Sequence, residues 1–571
     1  MVNRETILSR VKEYIPQFYN FILQCYGNSS ILSFGNQFLL SQRGVQQGDP
    51  LGPPLFCLAI HHIVLNLKSE LNLWYLDDGT IAGDPQKVFD DFDYLMSSCA
   101  EIGLQLNFKK CEFSILNEKS DSLIMSKYDY IIKQFSTVNV RNLTLLGCPF
   151  SDVEIQKTLE SKSYMFSKLT KNMSLINSHS AYHLLKHSFS VPRIIYLLRS
   201  APCWRSSTYL KKFDDLLRTS LQDITNCFID SKAWSQCILP IKLGGLGIRD
   251  SSKLCFSAFL GTVQDSLYLL PSILPPNIYS HPDSIFDEAL SIFKKITHIS
   301  DTSVLKTQKD FDSALCKIFL DKKISSVESD IELARLLALQ EPESNAWLNA
   351  LPSSSLGTLL DDSSFRISVA LRLGQPLCEP HTCTCGEKVD KYGLHGLSCK
   401  KSAGRWARHG LINDILRRGL STANVPSILE PSGICRSDGK RVDGMSLVPW
   451  RSGRALLWDA TCKDTLCKSY ISRTRAKSGE AASLGESQKR AKYKELEDRG
   501  FLFVPFAVET FGPWGDEAKK LISEISVKTK IKHFKNFIIQ RISVAIQRGN
   551  AASVLGTIPK VQDLDDHLNF L

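Results

Sequence analysis

Long apolar runs are missing from this sequence, and no stretch approaches the ~20 residues that a helix needs to cross a bilayer. The amino-terminal segment MVNRETILSRVKEYIP is amphipathic and lacks an apolar core followed by a small-residue cleavage site, so we expect no secretory signal. Short-period repeats and collagen-like or glutamine-rich tracts are also absent. These absences exclude membrane-spanning and fibrous classes, and we expect an intracellular, globular protein without a membrane partner.

A chain of 571 residues is too long for one ordinary core and predicts three or four domains. Most of its 17 cysteines are scattered singly, which is typical of reduced thiols in protein cores, but one cluster lies near residue 383. The formal charge of +10 permits a polyanionic partner without establishing one.

The first candidate site is the acid pair in LNLWYLDDGTIAGD, residues 71–84. The pattern predicts a strand, a tight turn at Asp77-Asp78-Gly79 and a second strand. Adjacent carboxylates repel one another, and a divalent cation such as Mg²⁺ would relieve that repulsion. Taken alone, the triplet favours a solvated turn with no metal, because most such triplets are turns of that kind.

Neighbouring motifs favour a metal site. Upstream, SQRGVQQGDPLGPPLFCLAIHHIV (41–64) reads as a turn-rich loop followed by a buried helix, and GLQLNFKKCEF (103–113) and LTLLGCPFS (143–151) follow the acid pair. In order and spacing these motifs resemble those of reverse transcriptases. The resemblance implies a polymerase palm with Asp77 and Asp78 as Mg²⁺ ligands. It also implies template or nucleotide contacts, which would come from Gly48, Asp49, Pro50, Lys109 and Lys110.

That family uses a third carboxylate from an earlier strand. The only acids before Asp49 are Glu5 and Glu13, and both lie in the helical pattern of residues 5–24. We therefore expect the fingers and the first palm strand to be missing, either because the chain is a fragment of a longer open reading frame or because it descends from an element that lost its front. Polymerase activity is then lost, and dNTPs bind only if the missing palm is supplied.

Residues 152–345 have apolar positions at helical spacing, and by resemblance they include a polymerase thumb. The segment LPIKLGGLGIRD (239–250) lacks a phosphate-loop pattern and is expected to be a structural turn. The serine-rich stretch LPSSSLGTLLDDSSF (351–365) is the best linker candidate.

The cysteine cluster CEPHTCTCGEKVDKYGLHGLSC (378–399) combines the thiolate and imidazole ligands that Zn²⁺ prefers. Cys383, Cys385, His395 and Cys399 can supply a closed site. Cys378 is an alternate for either early cysteine, and His381 and His409 compete as ligands. Buried small hydrophobic residues are the other interpretation. Surrounding basic residues would face phosphates; they are Lys388, Lys391, Lys400, Lys401, Arg405 and Arg408.

After the basic helix RWARHGLINDILRRGL (405–420), two apolar strand patterns carry Asp443 and Asp459. An acid inside an apolar strand needs a metal, a partner or a proton. The helical segment GESQKRAKYKELEDRG (485–500) places Glu486, Lys489 and Tyr493 on one face, and further strand and helix patterns follow at 501–510 and 514–526.

This module resembles the restriction-like endonuclease of non-LTR retrotransposons, a PD-(D/E)xK variant with a K-x-x-K-Y phrase. The resemblance implies that Asp443 and Asp459 hold Mg²⁺ (or Mn²⁺) and that Lys489 or Lys492, beside Tyr493, stabilises charge on phosphorus. Val442 replaces the family's proline, Thr461 replaces a lysine, and the gap to Lys489 looks long. The alternative is structural, with Asp443 in a turn and Asp459 paired to arginine.

The predicted fold class is multidomain α+β and α/β, from a partial reverse-transcriptase palm to a PD-(D/E)xK-like nuclease. The predicted segments are 1–165 palm, 166–290 helical thumb, 291–375 helical linker region, 376–404 zinc knuckle, 405–545 nuclease and 546–571 tail. The expected function is that of a non-LTR retrotransposon fragment with a Mg²⁺-dependent DNA-nicking endonuclease. Its partners would be a DNA target and the element RNA, and its location the nucleus. The alternative is a catalytically inactive nucleic-acid-binding remnant or domesticated protein.

Overall fold

The computed structural model describes residues 1–116, 126–274 and 284–558. These residues form two compact units: unit 1 has residues 1–158 and 262–288, and unit 2 has residues 159–261 and 289 onward. Within the described ranges we find no helix whose length and hydropathy would suit a bilayer-spanning segment.

The first 150 residues alternate helices with short hairpins, the α+β mixture predicted from the sequence. The elements in chain order are α1 (Arg4–Tyr14), α2 (Tyr19–Tyr26), β1 (Ser30–Phe34), β2 (Gln37–Ser41), α3 (Gly52–Leu65), β3 (Leu71–Tyr75), β4 (Asp78–Ala82), α4 (Pro85–Glu101), β5 (Glu112–Phe113), α5 (Asp129–Ile132), β6 (Ser136–Thr137), β7 (Thr144–Leu145) and β8 (Cys148–Pro149). The pairs β1–β2, β3–β4 and β7–β8 are antiparallel, and β5–β6 is parallel.

The core of unit 1 joins α1 to α3. Ile7 and Val11 lie one turn apart on α1 and pack in the same cluster as Leu55 and Ala59 of α3. Helix α3 begins with Gly52 and two prolines, which a first helical turn tolerates because its N–H groups have no partner within the helix. The predicted buried helix after the glycine-proline loop is therefore confirmed.

The hairpin β3–β4 is also confirmed, with a turn that differs by one residue from the prediction. Tyr75 pairs with Asp78, so the turn consists of Leu76 and Asp77, and Leu76 takes a left-handed conformation (φ 58°). Asp78 is thus the first residue of β4. Position 79 requires glycine, because a Cβ there would lie 2.5 Å from the Trp74 ring.

The middle of the chain is helical, as predicted. Its helices in chain order are α6 (Asp152–Thr170), α7 (Ser178–Leu184), α8 (Ile195–Ser200), α9 (Ser207–Thr225), α10 (Ser231–Cys237), α11 (Ser251–Ser266), α12 (Leu270–Ile273), α13 (Ser284–Thr297), α14 (Gln308–Ser325), α15 (Asp330–Ala338), α16 (Ala346–Asn349) and α17 (Asp362–Leu373).

The glycine-rich segment 239–250 is a structural turn closed by a buried arginine. Arg372 of α17 is 2% exposed, and its guanidinium donates to Gly245 O at 3.1 Å and to Ile241 O at 3.1 Å. Burial lowers the pKa of Arg372 to about 9. A side chain at Gly245 would clash with Leu239 O, 2.0 Å from the Cβ position, so glycine is required there for close packing. The expected turn is confirmed.

The serine-rich stretch 351–365 is not a linker, so that prediction was wrong. It lies inside unit 2, where Leu360 and Phe365 are fully buried and the Leu359 carbonyl accepts a hydrogen bond from Arg548. Asp361 caps α17 by accepting from Ser364 N at 2.8 Å. The serines and aspartates therefore act as turn and cap residues around apolar side chains that enter the core.

The remaining elements build a four-stranded sheet with helices on both faces. They are β9 (His381–Thr382), β10 (Lys388–Val389), α18 (His395–Ser398), α19 (Ala403–Thr422), β11 (Ser427–Leu429), β12 (Gly444–Arg451), β13 (Arg454–Lys463), α20 (Ile471–Thr474), α21 (Glu480–Lys492), α22 (Lys494–Asp498), β14 (Leu502–Glu509), α23 (Asp516–Thr529) and α24 (Phe534–Leu555). The sheet order is β11-β12-β13-β14, with β13 and β14 parallel and the other pairs antiparallel. The predicted sequence of helices and strands is confirmed as α19, β12, β13, α21, β14 and α23.

Strand β13 separates two cores, because successive side chains of a strand point to opposite faces. Leu456, Trp458 and Ala460 belong to one core, which includes residues of α19, α23 and α24. Leu457 belongs to the other, with Tyr493 after α21 and Phe503 of β14.

Four of the predicted segment boundaries fall inside helices. The boundary at 165/166 lies within α6, that at 290/291 within α13, that at 404/405 within α19 and that at 545/546 within α24. Helix α24 continues because Ala551 and Val554 extend its buried face. Of the predicted tail, residues 559–571 lie outside the described part of the chain.

Glu509, at the end of β14, is a fully buried acid on the sheet. Its carboxylate accepts a hydrogen bond from Ala482 N at 3.0 Å, and burial raises its pKa from 4.5 to about 7. The folded chain therefore retains a proton on Glu509 between pH 4.5 and 7 that the unfolded chain loses. This group's contribution to stability is full below pH 4.5 and decreases as the pH rises toward 7.

We predict that Glu509→Gln makes the protein less sensitive to pH. At about 1.4 kcal/mol per pH unit, the variant should gain up to roughly 3 kcal/mol relative to the parent between pH 5 and pH 8. Urea unfolding followed by tryptophan fluorescence, at matched pH values, measures this difference, because other titrating groups are common to both proteins. Parallel pH profiles for the two proteins would contradict the prediction.

Candidate functional site

Asp459 is buried within β13, on the face covered by α21. It is 3% exposed and shares its face with Leu457, while Trp458 and Ala460 point to the opposite core. A carboxylate in this position has lost most of its contact with water, so it needs a compensating cation, proton or metal.

Asp443 reaches the same part of β13 from the neighbouring strand. It stands immediately before β12, where its backbone N–H donates to Trp458 O at 3.1 Å. Its carboxylate Oδ2 accepts from Ala460 N at 2.6 Å. Asp443 therefore bonds to the peptide that directly follows Asp459, and the two acids lie close together as the sequence predicted.

His409 supports Asp443 from helix α19. Its Nε2 lies 2.9 Å from Asp443 Oδ2, and the hydrogen bond to Asp443 raises the pKa of His409. Burial opposes ionisation of Asp443, but the hydrogen bond and charge of His409 outweigh it and hold the pKa of Asp443 below its ordinary value. His409 was expected to compete for zinc; the structure instead pairs it with Asp443.

Lys489 supplies the cation for Asp459. Its Nζ contacts Asp459 Oδ1 in an ion pair that is mostly shielded from water. Helix α21 comes close enough because Gly485 packs on β13: a Cβ at Gly485 would lie 3.2 Å from Thr461 Cγ2. The sequence gap that looked long is spanned by a crossover helix lying on the sheet.

Lys492 and Tyr493 lie beside this ion pair and are hydrogen-bonded to each other. Lys492 Nζ donates to Tyr493 OH at 2.9 Å, and Tyr493 OH donates to Arg441 O at 2.7 Å. Burial, together with hydrogen bonding to Asp459, raises the pKa of Tyr493, which stays a neutral donor. Burial lowers the pKa of Lys492, and the charge of Lys489 adds to that effect. Of the two lysines proposed for catalysis, Lys489 is the one that contacts an acid.

Glu486, predicted on the same helical face, has a structural contact. Its Oε1 accepts from Glu517 N at 3.0 Å and Ala518 N at 3.1 Å, in the first turn of α23. Burial raises the pKa of Glu486 to about 7. The carboxylate thus caps α23 rather than joining Asp459.

A second cluster brings together the four predicted zinc ligands. The ligand atoms of Cys383, Cys385, His395 and Cys399 all lie within 4.8 Å of one another, and in the part of the chain that the structure describes they form the only group of three or more such residues. The Sγ atoms of Cys383 and Cys399 are 3.7 Å apart, and Cys385 Sγ is 3.2 Å from His395 Nε2. A tetrahedral centre with Zn–S bonds of about 2.3 Å has edges of about 3.8 Å, so the spacing fits zinc.

Cys378 and His381 lie outside this group. Cys378 Sγ contacts Asp390 O at 3.4 Å, and the His381 ring bonds to Glu379 O at 2.8 Å and Thr557 Oγ1 at 2.9 Å. The hairpin β9–β10 positions Cys383 and Cys385 near its turn, and α18 presents His395.

The basic residues around the cluster divide into exposed and buried members. Lys400, Lys401 and Arg405 are exposed at the start of α19, and Arg405 donates to Cys399 O at 3.3 Å. Arg408 is 2% exposed and is bonded to Asn550 of α24. The expectation that Arg408 presents charge to phosphates was therefore wrong, because its side chain points into the helix interface.

Asp77 and Asp78 lie on the exposed tip of the β3–β4 hairpin of unit 1. Glu5 and Glu13 are in helix α1, and Glu13 pairs with Arg10 at 2.6 Å. No third acid joins Asp77 and Asp78 within metal-ligand reach among the residues that the structure describes.

The glycine-proline loop before α3 is held by Asp49. Its Oδ1 accepts from Leu51 N at 2.9 Å and its Oδ2 from Tyr26 OH, so the carboxylate organises the turn. Gly48 has a left-handed conformation (φ 91°) with nothing within 4 Å of its Cβ position, and Pro50 follows Asp49.

Lys109 and Lys110 are exposed in a short 3-10 turn, Phe108–Lys110. The turn directly precedes β5. Among the residues that the structure describes, neither lysine forms an ion pair with an acid.

Sequence reasoning missed the role of His409 and the neighbouring Asn413. Asn413 accepts from Trp458 Nε1 at 3.1 Å, and its side chain also hydrogen-bonds to Asp443. The available signal was their four-residue spacing, which puts both polar side chains on one side of a helix just before the first acidic strand.

Comparisons with known proteins give a family match for the start of the chain and a relative that matches a larger part of it. Residues 4–150 match the family model described as reverse transcriptase (RNA-dependent DNA polymerase). The chain is also 22% identical over 401 residues to the retrotransposable element SLACS 132 kDa protein of Trypanosoma brucei gambiense. That match covers 68% of this chain but 29% of the relative's length. The chain is thus related to a retrotransposon protein, and its first 150 residues are related to RNA-directed DNA polymerases.

Proposed function

We propose that the sheet and helices of residues 403–558 form a divalent-cation-dependent DNA endonuclease of a non-LTR retrotransposon protein. The observation that carries this proposal is the buried ion pair between Lys489 and Asp459. The carboxylate of Asp443 bonds to the next peptide of the same strand. Two carboxylates and a lysine on one face of a mixed sheet are the groups that hydrolysis of a phosphodiester needs.

The donor set fits a hard divalent cation such as Mg²⁺ or Mn²⁺, which prefers carboxylate oxygens. Asp443 and Asp459 would hold it. When bound, the cation polarises the scissile phosphate and lowers the pKa of a water molecule. Asp459 is buried at a desolvation cost that an ion pair with a single lysine offsets only partly, which favours a second cation there.

The chain's own groups have separate roles in this proposal. Lys489 directs its ammonium toward the oxygens on which negative charge develops, where a fixed cation stabilises the transition state. His409 and Asn413 hold the Asp443 carboxylate in one orientation through their hydrogen bonds. Tyr493 fixes the end of α21 by its bond to Arg441 O.

We further propose that Cys383, Cys385, His395 and Cys399 hold Zn²⁺ as a structural ion. All four positions of a tetrahedral centre are then filled by side chains, which leaves no open position for substrate. Because α19 begins four residues after Cys399 and carries His409, the ion would also stabilise the helix that supports Asp443.

For unit 1, we propose nucleic-acid contacts without polymerisation by this chain. The family match supports an origin as a palm that handled an RNA template and DNA. Asp77 and Asp78 offer two carboxylates, whereas two-metal catalysis in this family uses a third from another strand. Target DNA, element RNA and a nuclear location follow as parts of the same proposal.

We predict that the protein nicks supercoiled plasmid DNA in Mg²⁺ or Mn²⁺. Asp459→Asn removes a cation ligand and Lys489→Met removes a charge at the phosphate, so each should slow nicking by about 100-fold or more. Relaxed circles separated on agarose measure the rate.

Glu509→Gln is the matched control, since it replaces a buried acid on the neighbouring strand without touching Asp443 or Asp459, and it should keep the parental rate. If the folded, DNA-binding parent produces no metal-dependent nicks, the nuclease proposal fails. A catalytically inactive nucleic-acid-binding protein then becomes the better description.

We predict that the purified protein contains stoichiometric zinc by mass spectrometry. Cys399→Ser should release it, because a closed site with three ligands binds much more weakly. Cys378→Ser is the control and should retain the metal, as Cys378 bonds to Asp390 O instead. The ligand assignment is wrong if the Cys378 variant loses zinc and the Cys399 variant keeps it.

We predict that this 571-residue chain does not extend a primer on an RNA template with dNTPs and Mg²⁺. The exposed pair Asp77 and Asp78 lacks the third acid that would fix the second metal. Gel analysis of a labelled primer gives the readout. Primer extension that disappears in Asp77→Ala would refute the prediction.

A further inference from the structure

Among the residues that the structure describes, Trp406 is the one exposed tryptophan, and it belongs to the helix that carries His409. The chain has eight tryptophans, and the other seven are buried or half-buried, whereas Trp406 is 78% exposed. It lies in the first turn of α19, where an indole ring contributes nothing to the core. A single exposed aromatic ring is common on protein surfaces, so what favours a partner here is the position of Trp406 and the charges around it.

The helix places Trp406 on the approach to Asp443. Trp406 precedes His409 by three residues, about 4.5 Å along the helix axis, and the two side chains project within about 60° of each other. His409 contacts Asp443 directly. Trp406 is therefore within one helical turn of the residue that contacts Asp443.

The helix surface one turn beyond Trp406 is open at Gly410. Gly410 is exposed, and a Cβ at that position would meet nothing within 4 Å. The absence of a side chain at Gly410 leaves the helix surface one turn from the indole uncovered.

Positive charge lies on both sides of this surface. Lys400, Lys401 and Arg405 are exposed next to Trp406. Beyond the acid pair, Arg436 stacks on the Tyr493 ring at 5.8 Å. Ion pairs with acids reduce part of this positive charge. Asp438 pairs with both Arg436 and Lys440 at 3.4 Å. Asp414 pairs with Arg417 and Arg418, farther along α19. An exposed aromatic ring between cationic side chains suits a polyanion that carries flat bases.

We propose that an unpaired base of the DNA substrate stacks on Trp406 and positions its strand at Asp443 and Asp459. The phosphates on either side of that base then contact Lys400, Lys401 and Arg405. A base in a continuous duplex has both faces covered by its neighbours, so the surface selects DNA with an open base beside the cleavage point. The inference rests on the proposed nuclease function for the identity of its substrate.

The test is a binding measurement made separately from cleavage. Fluorescence anisotropy of a labelled single-stranded DNA oligonucleotide is recorded over a salt series in the Asp459→Asn background. Trp406→Ala should weaken binding roughly 5- to 100-fold, the usual contribution of one base–aromatic stack. Trp406→Phe should restore most of the affinity.

The salt dependence separates stacking from charge. Trp406→Ala should leave the slope of log Kd against log salt unchanged because it removes no charge, whereas Lys400→Ala with Lys401→Ala should reduce the slope. Phe228→Ala is the matched control: Phe228 is 74% exposed elsewhere in unit 2, and its removal should not change binding.

Further oligonucleotides decide the identity of the partner. The effect of Trp406→Ala should be small on a fully paired duplex; an equal loss there would overturn the open-base proposal. If only RNA of the same sequence loses affinity, the DNA assignment is overturned. If neither nucleic acid responds, the stacking inference fails even when the parent nicks plasmid DNA. Conversely, absent nicking with a normal Trp406 effect rejects the nuclease alone.

Discussion

The ion pair between Lys489 and Asp459 is the interaction on which the candidate site depends. A carboxylate that is 3% exposed carries a large desolvation cost, and removing either partner leaves an uncompensated charge in the sheet. The pair also joins two elements that are distant in sequence, because Lys489 belongs to the crossover helix between the parallel strands β13 and β14. The hand and length of this crossover place the helix on the β13 face, and Gly485 permits the close approach. Sheet topology and site chemistry are therefore set by the same contact.

Local patterns predicted the elements, since they depend on neighbours in the chain. The β3–β4 hairpin, helix α3 and the order of strands around β13 all follow from periodicity and turn residues. The hairpin turn shifted by one residue because Leu76, which has no turn propensity, adopts the left-handed conformation. The position of the turn follows from the pairing register of β3 and β4 and from the Trp74 ring that lies over Gly79. Turn propensities of single residues take neither contact into account.

Contacts between distant residues could not be predicted in the same way. The linker prediction at 351–365 failed because a serine-rich composition indicates only that a segment can be solvated. It does not indicate which distant side chains will hydrogen-bond to the backbone, as Arg548 does to Leu359 O. Arg372 and Arg408 show the same limit, because an arginine in a sequence is expected at the surface. Both are buried here: Arg372 donates to the turn at Gly245, and Arg408 donates to Asn550 of α24. The partner of Asp459 lies thirty residues away. The sequence indicated that this acid needs a compensating group, but the structural alternative named an arginine where the structure has Lys489.

The two acid pairs of this chain differ in what the fold has to do for them. Asp77 and Asp78 are exposed at a hairpin tip, where solvent screens their repulsion. Asp459 is buried and Asp443 is mostly shielded, and histidine, asparagine and lysine side chains are directed at them from two helices. Such directed compensation constrains the sequences of α19 and α21 together. A buried acid pair thus leaves evidence of its chemistry in the packing around it, whereas an exposed pair can lose its function without any change in the fold.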